Sequence, residues 1–176
     1  MWSRNKNLRY ILLLLLSVAF ISCRNGTEKK SAVSQPGISE MADLNRYMVR
    51  KDRERIQNYI ERKDLHMTET QTGLWYQILI RGEGATLGEK DNIIMDYECS
   101  LLDGTRCYSS KELGAKELIL GKSDLEAGLN EGLRLLNSGS EAIFIIPPYL
   151  AFGLIGDRKL IPPRAVLVYT VKVRTK

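Results

Sequence analysis

Few side chains in this chain of 176 residues have the chemistry of a reacting group. There is one histidine, His66, there are three cysteines, Cys23, Cys99 and Cys107, and glycines at 82, 84 and 88 suggest a phosphate cradle. A metal centre around His66 would need Cys, His or carboxylates at ligand spacing, and the sequence offers none, so no metal and no cofactor is expected. No serine or cysteine nucleophile accompanies the histidine either. His66 therefore reads as a surface or helix-end residue. A phosphate loop needs a helix after its glycines, but residues 92–102 have the apolar, β-branched character of a strand, so these are turn glycines. Cys99 and Cys107 flank Leu102-Asp103-Gly104-Thr105, whose Asp-Gly pair signals a tight hairpin. That turn sets Ser100 opposite Cys107 and Cys99 opposite Tyr108. The two thiols then lie on opposite faces, and no disulfide is expected unless a bulge shifts the register.

The elements that would position any site are clearest in the last third of the chain. Residues 165–173 alternate: Val166, Val168, Thr170 and Lys172 point one way, and Leu167, Tyr169, Val171 and Val173 the other. This is the pattern of a half-buried antiparallel strand. A second apolar run, residues 142–146, precedes it, and Pro147-Pro148 and Pro162-Pro163 stop the pairing at both ends of the intervening loop. A loop held at both ends beside a sheet is a good place for a binding site. Upstream, residues 73–80 and 92–102 read as strands and 118–120 as a short one. Leu125, Leu129, Leu133 and Leu136 fall at helical spacing, starting near Ser123-Asp124 and ending at 137–139. Gly128 and Gly132 lie on one face of that helix, which suggests close contact with a sheet. The fold class is α+β, with one short helix nested against an antiparallel sheet.

The N-terminus has a different character. Residues 1–22 join a basic stretch (Arg4, Lys6, Arg9) to an apolar run at 11–21, which reads as a secretory signal peptide. The run falls short of the ~20 residues of a membrane span, so a transmembrane anchor is the weaker reading. Cys23 directly after Ser22 resembles the acylated cysteine of bacterial lipoproteins. Residues 23–37 are polar and read as a flexible tether. Residues 38–67 form a helical arm in which Met41, Leu44, Tyr47 and Met48, then Ile56, Tyr59 and Ile60, recur at helical spacing. The wholly charged stretch 50–55 separates the two groups, leaving one long helix or two shorter ones. The arm either packs on the domain behind it or serves as a contact for a second copy or a partner. Of the net charge of +5, three units belong to the leader, leaving +2. A balance so near neutral leaves no electrostatic footprint for nucleic acid.

Three signals recur in order: the glycine-bearing segment from Gly82 to Tyr97, Leu-x-Asp-Gly-x-x-x-x-Ser-Ser at 101–110, and Ala-Phe-Gly…Ile-Pro-Pro-x-Ala-x-Leu-Val-Tyr at 151–169. Together they resemble the FKBP-type peptidyl-prolyl cis-trans isomerases over about residues 72–176. With the leader and arm included, the chain is similar to the gliding-motility-associated lipoprotein isomerases of the Bacteroidetes. The resemblance implies a curved antiparallel sheet wrapped on one short helix, an apolar pocket between them, and a domain at 68–176. It implies rotation about Xaa-Pro bonds of exported proteins in the cell envelope, on a lipid-anchored protein facing the periplasm.

Carried over by motif, Tyr97 corresponds to the pocket-wall tyrosine, Leu125 and Ile161 to aliphatic walls, and Tyr169 to an aromatic of the final strand. Several positions depart from the family's pattern. Cys107 and Tyr108 stand where phenylalanine and aspartate are usual, Leu129 replaces the floor tryptophan, and Phe152 replaces a tyrosine. Glu126 takes the place of an aliphatic residue whose backbone N–H faces the ligand. The segment 111–116 is short and lacks a clear wall aromatic. These departures leave room for a second reading, a catalytically weak chaperone or assembly module on the same fold. A third, an all-β ligand-binding lipoprotein, would have no helix packed on the sheet near 125–136.

Overall fold

The computed structural model describes residues 37–176. The signal-peptide reading, the tether up to residue 36 and Cys23 lie outside them. The chain divides at Ser39, and the architecture below is that of the unit Glu40–Lys176. Among the described residues, no helix is long and apolar enough to cross a membrane.

The strands, in chain order, are β1 (Thr68–Glu69), β2 (Trp75–Ile80), β3 (Asn92–Leu101), β4 (Arg106–Ser109), β5 (Lys116–Ile119), β6 (Glu141–Ile146) and β7 (Leu167–Thr175). They form one antiparallel sheet in the order β1-β2-β6-β7-β3-β4, with β5 also paired to β3. β7 registers Cys99 against Tyr169 on β3 and Phe144 against Tyr169 on β6. The other edge of β3 is shared: Asn92–Met95 pair with β5, whereas Glu98–Ser100 pair with β4. Tyr97 falls in the gap, where the short helix α2 (Ser110–Leu113) begins. Its backbone N–H, left without a strand partner on that side, donates to Ser110 Oγ at 3.1 Å.

The helix that packs on the sheet is α3, Ala127–Leu133. It starts later than the leucine periodicity suggests because the Ser123 hydroxyl is used elsewhere. Ser123 Oγ accepts from Ile119 N at 2.8 Å, closing the turn after β5, and α3 begins after Glu126 without a side-chain cap. The helix lies against β6 as its glycines suggested. A Cβ on Gly128 would stand 2.5 Å from Ile146 Cγ2, and one on Gly132 2.8 Å from the Phe144 ring. A helix on the sheet at this position rules out the all-β reading.

β7 divides the core in two. Leu167, Tyr169, Val171 and Val173 join Leu129, Leu133, Leu136 and Phe144 on the α3 side. Val166 and Val168 join Ile145 on the opposite face, where Ile56, Tyr59 and Ile60 of α1 (Ile38–Lys63) cover them. The strand expected to be half-buried is therefore covered on both faces at its start. The charged stretch 50–55 does not break α1, which is a single helix. Asp52 turns inward from it, almost fully buried, and accepts from Arg164 Nη2 at 2.7 Å. Met41, Leu44 and Tyr47, in the first half of α1, remain about half exposed. His66 is exposed, three residues past the end of α1.

The hairpin corrects one expectation. Cys99 does face Tyr108, but Ser100 pairs with Arg106, so Cys107 is the extra residue of a bulge. The bulge turns Cys107 inward, and both thiols lie in the same core rather than on opposite faces. Both are free.

Gly132→Ala tests the helix–sheet spacing. In an open helix the change would gain about 1 kcal/mol of propensity. Here the added methyl meets a fully buried ring, and a net loss of about 1–3 kcal/mol in urea unfolding is expected. A stabilised variant would show that the contact is not close.

Candidate active site

Between the start of α3, the α2–β5 segment and the loop 151–161 lies an open cavity of about 310 Å³. Its wall collects Met95 and Tyr97 from β3, Tyr108 from β4, Leu113 from α2, and Lys116 from β5. Glu126 and Leu129 come from α3 and its approach, Phe152, Asp157 and Lys159 from the loop, and Tyr169 from β7. The volume is at the lower end for a small-ligand site. A larger cleft, about 540 Å³, lies between α1, residues 101–103 and residues 162–166. It is walled by Arg55, Arg62 and Arg164 and has none of the aromatic lining, so the smaller cavity is the better candidate.

The floor is apolar and fixed. Leu129 is buried beneath the opening, with Met95 beside it in the same core. The Tyr97 and Tyr169 rings stand 6.3 Å apart between centroids, tilted by 39°, within the range of a favourable aromatic pair. The buried Tyr169 hydroxyl donates to Glu126 Oε1 at 2.7 Å, which holds the carboxylate at the cavity edge. Burial, reinforced by the Glu126 charge, pushes the Tyr169 phenol far up, so it remains a neutral donor. Burial likewise raises the Tyr97 phenol, and it pushes the Cys99 thiol up to about 12.

The loop is tied down through Asp157. Its Oδ1 accepts from Lys159 N and Ile161 N, both at 2.8 Å, and its Oδ2 accepts from the Tyr108 hydroxyl. Asp157 N donates back to Ile161 O at 3.1 Å, and Arg164 N donates to Gly153 O at 2.9 Å. The close approach of Gly156 to the Ile161 carbonyl leaves no room for a Cβ, which would stand 2.2 Å away. The bond to Asp157 pushes the Tyr108 phenol up to about 12. Burial alone would raise the Asp157 carboxyl, but the Tyr108 hydroxyl and the two backbone N–H groups hold it below the usual carboxylate range.

Of the residues expected at a site, Tyr97, Tyr108, Glu126, Leu129, Phe152 and Tyr169 meet at this one cavity. Cys107, Leu125 and Ile161 do not line it. Cys107 lies beneath the loop, its Sγ 3.7 Å from Leu160 O; Ile161 is buried in the core, and Leu125 packs half-buried against it. Sequence reasoning passed over Met95, Leu113, Lys116, Asp157 and Lys159. Asp157 had a readable signal: after Gly156, an aspartate whose side chain caps the N–H two residues on is an Asx turn.

A sheet packed on the short helix α3 leaves a pocket with aromatic walls between helix, hairpin and loop. A family model described as FKBP-type peptidyl-prolyl cis-trans isomerase matches residues 84–174, and the chain belongs to that family. It is 39% identical over 104 residues to the probable FKBP-type isomerase FkpA of Neisseria meningitidis, covering 59% of this chain and 38% of that one. To FkpA of Escherichia coli it is 31% identical over 111 residues, covering 63% and 40%. The chain thus matches about two fifths of the length of these bacterial relatives. Among solved structures, the crystal structure of E. coli FkpA superposes with a TM-score of 0.60 at 20% identity, covering 99% of this chain and 97% of that one. The N-terminal domain of FKBP42 from Arabidopsis thaliana does so with 0.58 at 26%, covering 63% and 92%.

The lowered Asp157 carboxyl carries a pH signature. Its folded value lies below the unfolded one, so its contribution to stability is complete above about pH 4 and fades as pH falls through the folded value. Asp157→Asn should lower the urea midpoint at pH 6, and the gap from wild type should narrow toward pH 2. A gap that stays constant with pH would assign the loss to packing instead.

Proposed function

We propose that this chain is a peptidyl-prolyl cis-trans isomerase acting on Xaa-Pro bonds of exported cell-envelope proteins. The observation that carries the reading is the apolar floor of Leu129 and Met95 walled by Tyr97, Phe152 and Tyr169, within the segment that matches the family. The reaction is a rotation against a barrier of roughly 18–20 kcal/mol. The planar amide is resonance-stabilised and polar; the twisted one has lost that resonance and is less polar. A floor that excludes water favours the twisted form, so binding is tighter at the top of the barrier than at either end. No group has to ionise or form a bond. The polar groups at the edge, the Tyr108 hydroxyl, Glu126 and Asp157, orient the walls.

The leader and Cys23 support an exported, lipid-anchored protein facing the periplasm. The half-exposed Met41, Leu44 and Tyr47 on α1 suit a contact with a second copy.

One feature favours a holding function beside or in place of catalysis. Leu113 at the cavity and Leu154, Ile155 and Leu160 in its loop are each more than half exposed. A rim of this kind can grip an unfolded chain whether or not the bond turns.

The test is the relaxation of a panel of Xaa-Pro peptides with the folded protein. Acceleration above the thermal rate is expected, and kcat/KM should fall about tenfold or more in Tyr97→Ala and Phe152→Ala. A flat result from well-folded protein would move the function to binding. Unchanged rates in both variants would place the site elsewhere.

A further inference from the structure

The charged side chains at the cavity are unequal in what they have left to offer a substrate. Both oxygens of Asp157 are taken, by the Tyr108 hydroxyl and by the backbone N–H groups of Lys159 and Ile161. Glu126 is held at the wall through Oε1 by the Tyr169 hydroxyl, which leaves Oε2 open but the carboxylate half-buried. Lys116 and Lys159, by contrast, reach the cavity from two separate walls, β5 and the loop. Both are exposed, and neither ammonium has a hydrogen-bond or ion-pair partner among the described residues. Other lysines do find partners: Lys51, Lys172 and Lys176 each sit 2.6–2.7 Å from a glutamate. An ammonium carries three donors and no acceptor.

Resting on the isomerase reading above, we infer that Lys116 and Lys159 give this pocket a preference for proline flanked by an acidic side chain. The apolar floor takes the ring, which leaves the neighbouring side chains of the substrate at the rim. A glutamate or aspartate there meets two unclaimed cations. A lysine there is repelled by the same exposed cations, while Asp157 and Glu126 are half-buried, Asp157 with both oxygens taken and Glu126 with one. The lysines are specificity residues: they touch the substrate beside the bond that turns, and they act on affinity more than on the rotation.

The test compares three peptides that differ only in the residue before proline, Ala-Glu-Pro-Phe, Ala-Gln-Pro-Phe and Ala-Lys-Pro-Phe, using the whole chain. At about 0.01 M salt, where screening is weak, kcat/KM should rank Glu above Gln above Lys, with about a three- to tenfold spread between the ends. At about 1 M salt the spread should collapse. In the double variant Lys116→Glu/Lys159→Glu, the Glu-to-Lys ratio should invert, and most of the change should lie in KM. Acceleration of all three peptides to the same extent, at low salt, would overturn the inference and leave the isomerase reading standing. Acceleration of none would overturn both. Should the double variant fail to fold, the salt dependence of the unmodified protein decides alone: a spread that survives 1 M salt rejects the charge argument.

Discussion

The pocket depends on how closely α3 approaches β6. Two glycines on one helix face allow it, because neither position can carry a Cβ without striking Ile146 or Phe144. With the helix seated there, Leu129 lies between the glycines and beneath the opening, and Glu126 comes within hydrogen-bonding distance of the buried Tyr169 hydroxyl. A bulkier pair would lift the helix off the sheet. The floor would rise, and the Tyr169 hydroxyl would lose the partner that makes its burial tolerable. The cavity's depth is thus set by what is missing from residues 128 and 132 rather than by any residue on its wall.

A second constraint fixes the opposite wall. The loop from 151 to 161 has little regular structure, and its shape is set by hydrogen bonds converging on Asp157. One carboxylate closes the turn at Lys159 and Ile161 and, through Tyr108, ties the loop to the β3–β4 hairpin. The bulge at Cys107 lies next to that tie. It turns the thiol under the loop, while Tyr108, still in register with Cys99, lines the cavity.

Much of this was legible in the sequence, for reasons that differ by element. The alternation of β7 named the core-facing residues Leu167, Tyr169, Val171 and Val173, because a period of two in β-branched and aromatic residues has one reading. The same alternation could not show that Val166 and Val168 are covered too, since their partners Ile56, Tyr59 and Ile60 lie more than 100 residues away, in an arm rich in charged residues. The start of α3 was misplaced because Ser123 has the chemistry of a helix cap, yet its hydroxyl serves the turn after β5. The faces of the thiols were misjudged because a single bulge residue shifts the register, and nothing local in Thr105-Arg106-Cys107 announces it. At the site, the aromatic walls were found because their motif order is distinctive. The rim lysines were not, because an exposed lysine looks the same whether it faces solvent or a cavity.

The charged rim and the apolar floor are compatible because Asp157 is satisfied within the protein and Glu126 is held at the edge by Tyr169 before any substrate arrives. A buried or half-buried carboxylate without partners would hold water at the opening, and that water would stabilise the planar, more polar amide. Here Asp157 has three donors and Glu126 has the Tyr169 hydroxyl. Asp157 needs no solvent in the cavity to be accommodated, and Glu126 is held by Tyr169 with its second oxygen toward the edge. The exposed lysines keep their ammonium groups in water without wetting the floor, since long aliphatic stems can lie along an apolar wall while the charge stays outside. On the proposed function, the architecture would separate two tasks that otherwise conflict: ring and amide would be desolvated over Leu129 and Met95, and charge recognition would be left to the rim, where the lysines are exposed.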